Sequence, residues 1–152
     1  MVNQKEFLEA LIPLYYIHIA GGQLKGKTRI QKLVFLFQMK TKTPIDYKYK
    51  KGDYGPFSYK LYIILENLVS VGLLIEKKET TPVGNEVTIY KLTEAGKSLI
   101  DFACKTGLLT QNIRQNLEQI FKEYGTLPLI DLIAKVYKEY PKWTEKSIFT
   151  FF

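Results

Sequence analysis

The sequence predicts a mostly α-helical fold of the α+β class with one small β-hairpin, and three observations within residues 53–96 predict it. Apolar residues recur at Phe57, Leu61, Ile64, Leu65, Leu68 and Gly72, a 3.6-residue period that turns one stripe of a helix to a core. Two strand-like runs follow at 73–79 and 86–92, parted by 80–85, where Pro82 and Gly84 favour a turn. Thr93 then stands where an N-cap is needed, with Glu94 in the first turn to complement the positive end of the helix dipole. Helix, hairpin and helix in this order predict a winged helix-turn-helix core, the hairpin being the wing.

The remaining elements surround that core. Asn3 is the expected cap of a first helix over 3–20, with Glu6 three residues on and Phe7, Leu8, Leu11, Leu14, Tyr15 and Ile19 on its apolar faces. Pro13 is expected to kink or restart it, and Gly21-Gly22 to end it. After a basic loop at 25–27, Thr28 is the expected cap of a support helix reaching Lys40. Ile30, Leu33, Val34 and Phe37 form its stripe, and Arg29, Lys32, Gln31 and Gln38 are expected to face outward. The alternation Tyr47-Lys48-Tyr49-Lys50-Lys51 reads as a short strand or extended arm. It leads to a helix start at Tyr54-Gly55-Pro56-Phe57-Ser58, with Pro56 suited to a first helical position. Helices are expected at 93–105, 110–124 and 127–140, with Gly125 and Pro141 as stops. The expected division is a winged-helix domain over 1–107 and a helical extension over 108–152 that packs on it or forms a dimer interface.

The chain of 152 residues is 46% hydrophobic and 24% charged, ordinary for a globular protein. Its lone Cys104 cannot close an internal disulfide and falls among apolar neighbours, which fits a reducing cytoplasm. The longest uncharged run, 10–24, is too short to cross a bilayer of about 30 Å, and the N-terminus does not resemble a signal peptide. Residues 1–52 hold ten basic and three acidic side chains, an excess equal to the whole net charge of +7. Such asymmetry points to a polyanionic partner.

Duplex DNA is therefore the expected partner, held mainly through its phosphates. The expected contact residues are Arg29, Lys32, Lys48, Lys50, Lys51, Ser58, Tyr59, Lys60, Asn67, Lys77 and Lys78. The outer face of the Gly-Pro helix, with Tyr59, Ile63, Glu66, Asn67 and Ser70, lacks arginine and carries an acid, which argues against strong base readout. Tyr59, Tyr62 and Ile63 on the same helix suit a protein partner, so the alternative is an interaction module of antitoxin or adaptor type. Trp143, Ile148, Phe149, Phe151 and Phe152 form an apolar tail expected to be covered by the core or by a second subunit, and a homodimer is expected. His18, the only histidine, reads as a core or rim residue. With no metal-spaced cluster, phosphate loop or nucleophile motif, neither catalysis nor a cofactor nor a metal is expected.

Three segments also resemble a known family: Lys27-Thr28-Arg29-Ile30-Gln31-Lys32-Leu33-Val34-Phe35-Leu36, Tyr54-Gly55-Pro56-Phe57-Ser58, and the run from Leu129 to Pro141. They resemble the YwgA-like prokaryotic winged-helix proteins and, more distantly, Panacea-type (SocA-like) antitoxin domains. The resemblance covers most of the chain. It implies a winged helix-turn-helix core followed by C-terminal helices, with roles in DNA binding or regulation, and it supplies no catalytic residue.

Overall fold

In the computed structural model, which describes residues 3–148, Asn3 caps α1 (Gln4–Ile19) by accepting the Glu6 N–H at 2.8 Å. Pro13 sits inside this helix without ending it. Proline gives no N–H to the carbonyl four residues back, here that of Glu9, and this carbonyl accepts the Tyr47 hydroxyl instead. The helix therefore runs on through the expected kink, and its open acceptor serves the arm.

Past Gly21 and Gly22, the expected basic loop is partly a strand, β1 (Gln23–Lys25). A run of three residues is too short to show a period, so the sequence pattern hides it. Gly26, at φ 102°, bonds its N–H to the Thr88 carbonyl at 2.7 Å and becomes the N-cap of α2 (Lys27–Lys40). The expected Thr28 cap lies inside the helix because that turn needs a positive φ, which glycine adopts at little cost.

Between α2 and the next helix the chain forms an arm and a tight antiparallel hairpin, β2 (Lys50–Gly52) and β3 (Gly55–Phe57). Lys50 lies opposite Phe57, Lys51 opposite Pro56 and Gly52 opposite Gly55. Pro56 thus belongs to a strand rather than to a helix start. The helix α3 (Tyr59–Ser70) begins two residues after the hairpin, once the Ser58 side chain accepts the Leu61 N–H at 3.1 Å. Leu61, Leu65 and Leu68 bury the expected stripe, whereas Ile63, expected bare, is half-buried.

The wing is β4 (Leu74–Thr80) and β5 (Glu86–Leu92), and β1 completes a sheet of order β1-β5-β4. Thr93 caps α4 (Glu94–Lys105) as expected, accepting the Gly96 N–H at 3.0 Å and donating to the Gly72 carbonyl at 2.7 Å. The order α1, β1, α2, α3, β4, β5 is the winged-helix α+β arrangement. Its departure is the hairpin inserted between α2 and α3, where a helix-turn-helix has only a short turn.

Thr110 caps α5 (Gln111–Ile120), which ends in a π-helical turn, Phe121–Gly125, before the expected helix would. α6 (Leu129–Glu139) starts after Pro128, and a 3-10 turn follows at Pro141–Thr144. Ile113, Leu117, Ile120, Leu132 and Val136 share one buried cluster with Leu14, Ile17, Leu33 and Phe37 of the first two helices. Trp143 is half-buried and packs edge-on to Phe35 at 5.6 Å, and the Ile148 N–H donates to the Asp53 carbonyl at 2.8 Å. Phe149, Phe151 and Phe152, named with them in the apolar tail, lie outside the described residues. Among the described residues no helix is long and apolar enough to cross a membrane.

Candidate nucleic-acid interface

The insertion needs its backbone polar groups satisfied, and two glutamines of α2 do this. Gln31 donates from Nε2 to the Ser58 carbonyl at 2.9 Å and accepts the Ser58 N–H at 2.9 Å. Gln38, seven residues and two turns further on, donates to the Tyr47 carbonyl at 3.1 Å and accepts the Tyr47 N–H at 2.9 Å. Each side-chain amide pairs with one residue as a neighbouring strand would. The spacing of seven was the available signal, since it puts both on one helix face.

That face is covered and Gln38 is half-buried on it, so the four outward-facing expectations on α2 need correcting. Gln31 is buried. Lys32 is 2% exposed, donates from Nζ to the Pro56 carbonyl at 3.0 Å, and has its pKa lowered to about 7 by burial. Arg29 is half-buried, donates to the Gly125 carbonyl at 3.0 Å, and has its pKa lowered by burial. Ser58, at 0% exposure, is occupied as the α3 cap. The expected contacts from Lys32 and Ser58 thus have no surface through which to meet a duplex.

Other expected contact lysines are held by carboxylates, and one of these is Glu9, fully buried on α1. It accepts the Asp46 N–H at 2.6 Å and pairs with Lys60 Nζ at 2.7 Å, tying the arm and the start of α3 to α1. Lys60 also donates to the Asp46 carbonyl at 3.2 Å. Lys48 meets Asp46 at 2.9 Å, and its hydrogen bond lowers the Asp46 pKa. Lys51 pairs with Glu145 at 2.5 Å and lowers its pKa, and Lys78 on the wing pairs with Glu86 at 3.2 Å, which raises the Lys78 pKa. Lys50 lies over the Phe57 ring at 5.7 Å, and Lys77 is exposed; neither makes an ion pair among the described residues.

On α3, Tyr59 is 63% exposed and stacks on Tyr62 with ring centroids 5.8 Å apart, while Glu66, Asn67 and Ser70 face solvent. Behind this helix lies a cavity of about 590 Å³, bounded by α2, the β2–β3 hairpin, α3 and β5. It brings Lys32, Lys50 and Lys51 together with Lys27 and Lys146, neither of them among the expected contact residues. Lys146 is 95 positions from Lys51, and no local pattern links them.

No family model matches the chain. Over 83 residues, 55% of its length, it is 34% identical to the uncharacterised protein YwgA of Bacillus subtilis (strain 168). The matched stretch spans 49% of YwgA, so the chain covers about half of that relative. Among solved structures, a Thermoplasma acidophilum protein provisionally described as a transcriptional regulator superposes with a TM-score of 0.47 at 20% identity, over 74% of this chain and 95% of its own.

Proposed function

We propose that this chain is a DNA-binding winged-helix regulator that holds duplex DNA chiefly through its phosphates. The observation that carries the reading is α3, the recognition helix of this fold, flanked along the chain by a lysine-bearing arm and a lysine-bearing wing. Lys48, Lys50 and Lys51 come before it and Lys77 and Lys78 after it, while Tyr59, Lys60 and Asn67 lie on it. The ion pairs of Lys48, Lys51 and Lys78 are partly exposed and weak, so a phosphate can replace their carboxylates. Lys60 is held by buried Glu9 and acts by orienting the start of α3. With no arginine on the helix face, base readout is secondary.

Fluorescence anisotropy with a labelled random duplex, between about 50 and 200 mM salt, tests this. Affinity should fall steeply with salt, and Lys50→Ala with Lys77→Ala should flatten the slope of log K against log salt by up to about two units, whatever the sequence. Absence of binding at the lowest salt would exclude the reading. A homodimer acting in the cytoplasm, reading two half-sites, belongs to the same proposal; light scattering at micromolar concentration should give twice the monomer mass.

One observation favours a second reading, a protein-interaction module of antitoxin or adaptor type: the exposed Tyr59 stacked on Tyr62 beside Ile63. Rigid aromatic pairs of this kind anchor protein interfaces. Under that reading Tyr59→Ala abolishes capture of a partner protein and leaves duplex affinity untouched.

A further inference from the structure

We propose that the cavity bounded by α2, the β2–β3 hairpin, α3 and β5 is a binding site for a small phosphate-bearing molecule with a planar ring, of the mononucleotide class. Its volume of about 590 Å³ falls within the range of pockets that enclose molecules of that size. Among the described residues five lysines line it, Lys27, Lys32, Lys50, Lys51 and Lys146, against a single acidic residue, Asp53. Lys27 and Lys51 are engaged by Glu76 at 3.6 Å and Glu145 at 2.5 Å. Lys32, Lys50 and Lys146 make no ion pair among the described residues.

Lys32 is the decisive group. It is 2% exposed, and among the described residues its one hydrogen bond goes to a neutral carbonyl, that of Pro56. A buried ammonium without a counter-charge is strongly disfavoured, and an anion in the cavity supplies that charge. Burial alone brings its pKa to about 7, so the group stands ready to take up a proton when an anion arrives.

The walls between the cations are rings. Tyr54, Phe57, Tyr62 and Tyr90 face the cavity, with Lys27 over the Tyr62 ring at 5.3 Å and Lys50 over the Phe57 ring at 5.7 Å. Cations alternating with aromatic faces suit a phosphate joined to a planar base. Duplex DNA offers the same phosphate chemistry, but a phosphate fixed on a rigid double helix cannot descend to a side chain as enclosed as Lys32. A small molecule can. The two readings share Lys50 and Lys51, and Lys32 and Lys146 set this inference apart from the DNA reading.

Isothermal titration of the full chain with adenosine monophosphate, adenosine and inorganic phosphate tests it. The nucleotide should bind, phosphate should bind at least about tenfold more weakly, and adenosine should give no heat. Lys32→Met and Lys146→Ala should each weaken the nucleotide by about tenfold and leave random-duplex affinity at the wild-type value. If Lys32→Met loses its cooperative melting transition, Lys146→Ala on the cavity rim decides alone. Three results overturn the proposal: no nucleotide binding up to millimolar concentration, nucleotide affinity indifferent to Lys146→Ala, or an equal loss of duplex binding, which would assign the cavity to the DNA interface. Because the titration contains no DNA, a failure of duplex binding leaves its outcome unaffected.

Discussion

Lys32 and Gln31 are adjacent, both buried, and opposite in how their polar groups are met. Gln31 makes both of its amide bonds to Ser58 at 2.9 Å, so Gln31→Leu leaves the buried Ser58 N–H unpaired and its carbonyl with the Tyr62 N–H at 3.2 Å. The expected loss is about 1–3 kcal/mol in a urea titration, with the α3 cap loosened first. Lys32 keeps its proton to about pH 7 in the fold and to its ordinary value of 10.5 in the unfolded chain. Below pH 7 both states hold the proton, and the fold bears the whole penalty of the buried charge. Above pH 7 the unfolded state binds more protons, so stability should rise with pH. Burial raises the pKa values of Tyr16, Tyr47 and Tyr49, which reverses the trend above about pH 10 and confines the window to roughly pH 7–9.5. Across it the wild type should gain on Lys32→Met by up to about 1.4 kcal/mol per pH unit, measured by denaturant titration at matched salt.

The wing and its junction with α4 were legible because seven-residue strands and a Thr cap leave strong local marks. Thr93 caps where expected, and Gly96 has a reason the pattern did not reveal: a Cβ there would lie 2.3 Å from the Leu73 carbonyl oxygen. Gly96→Ala is therefore expected to destabilise by about 1–3 kcal/mol, although alanine favours helix, with a lower urea midpoint at unchanged slope. The arm and β2–β3 were only half legible. Lys50 and Lys51 read correctly as strand, but Gly-Pro carries the same meaning for a strand end as for a helix start, and the register with Lys51 decides between them. The burial of Lys32 and Ser58 was not legible, since lysine and serine are ordinarily exposed and only the inserted segment covers them. The cavity depends on residues from both ends of the chain, which no local period connects.

At the scale of the molecule, α5, α6 and the turn after them share the core of α1 and α2. Trp143 meets Phe35 and Tyr49, so Trp143→Ala should lower the melting temperature even in a monomer, by the several degrees that about 2 kcal/mol represents. A melting temperature that instead depends on protein concentration, for the wild type and not for the variant, would assign this aromatic cluster to a dimer. The arm is bound to the same core by the carbonyl that Pro13 leaves open in α1. The backbone ladder of that helix is otherwise repetitive, and beside the Glu9 carboxylate that takes the Asp46 N–H the ladder offers the arm one further fixed point. A vacancy in the ladder breaks the repetition. It works as a positional address, written by an imino acid on one element and read by a phenol on another, and it tells the arm where along α1 to stop.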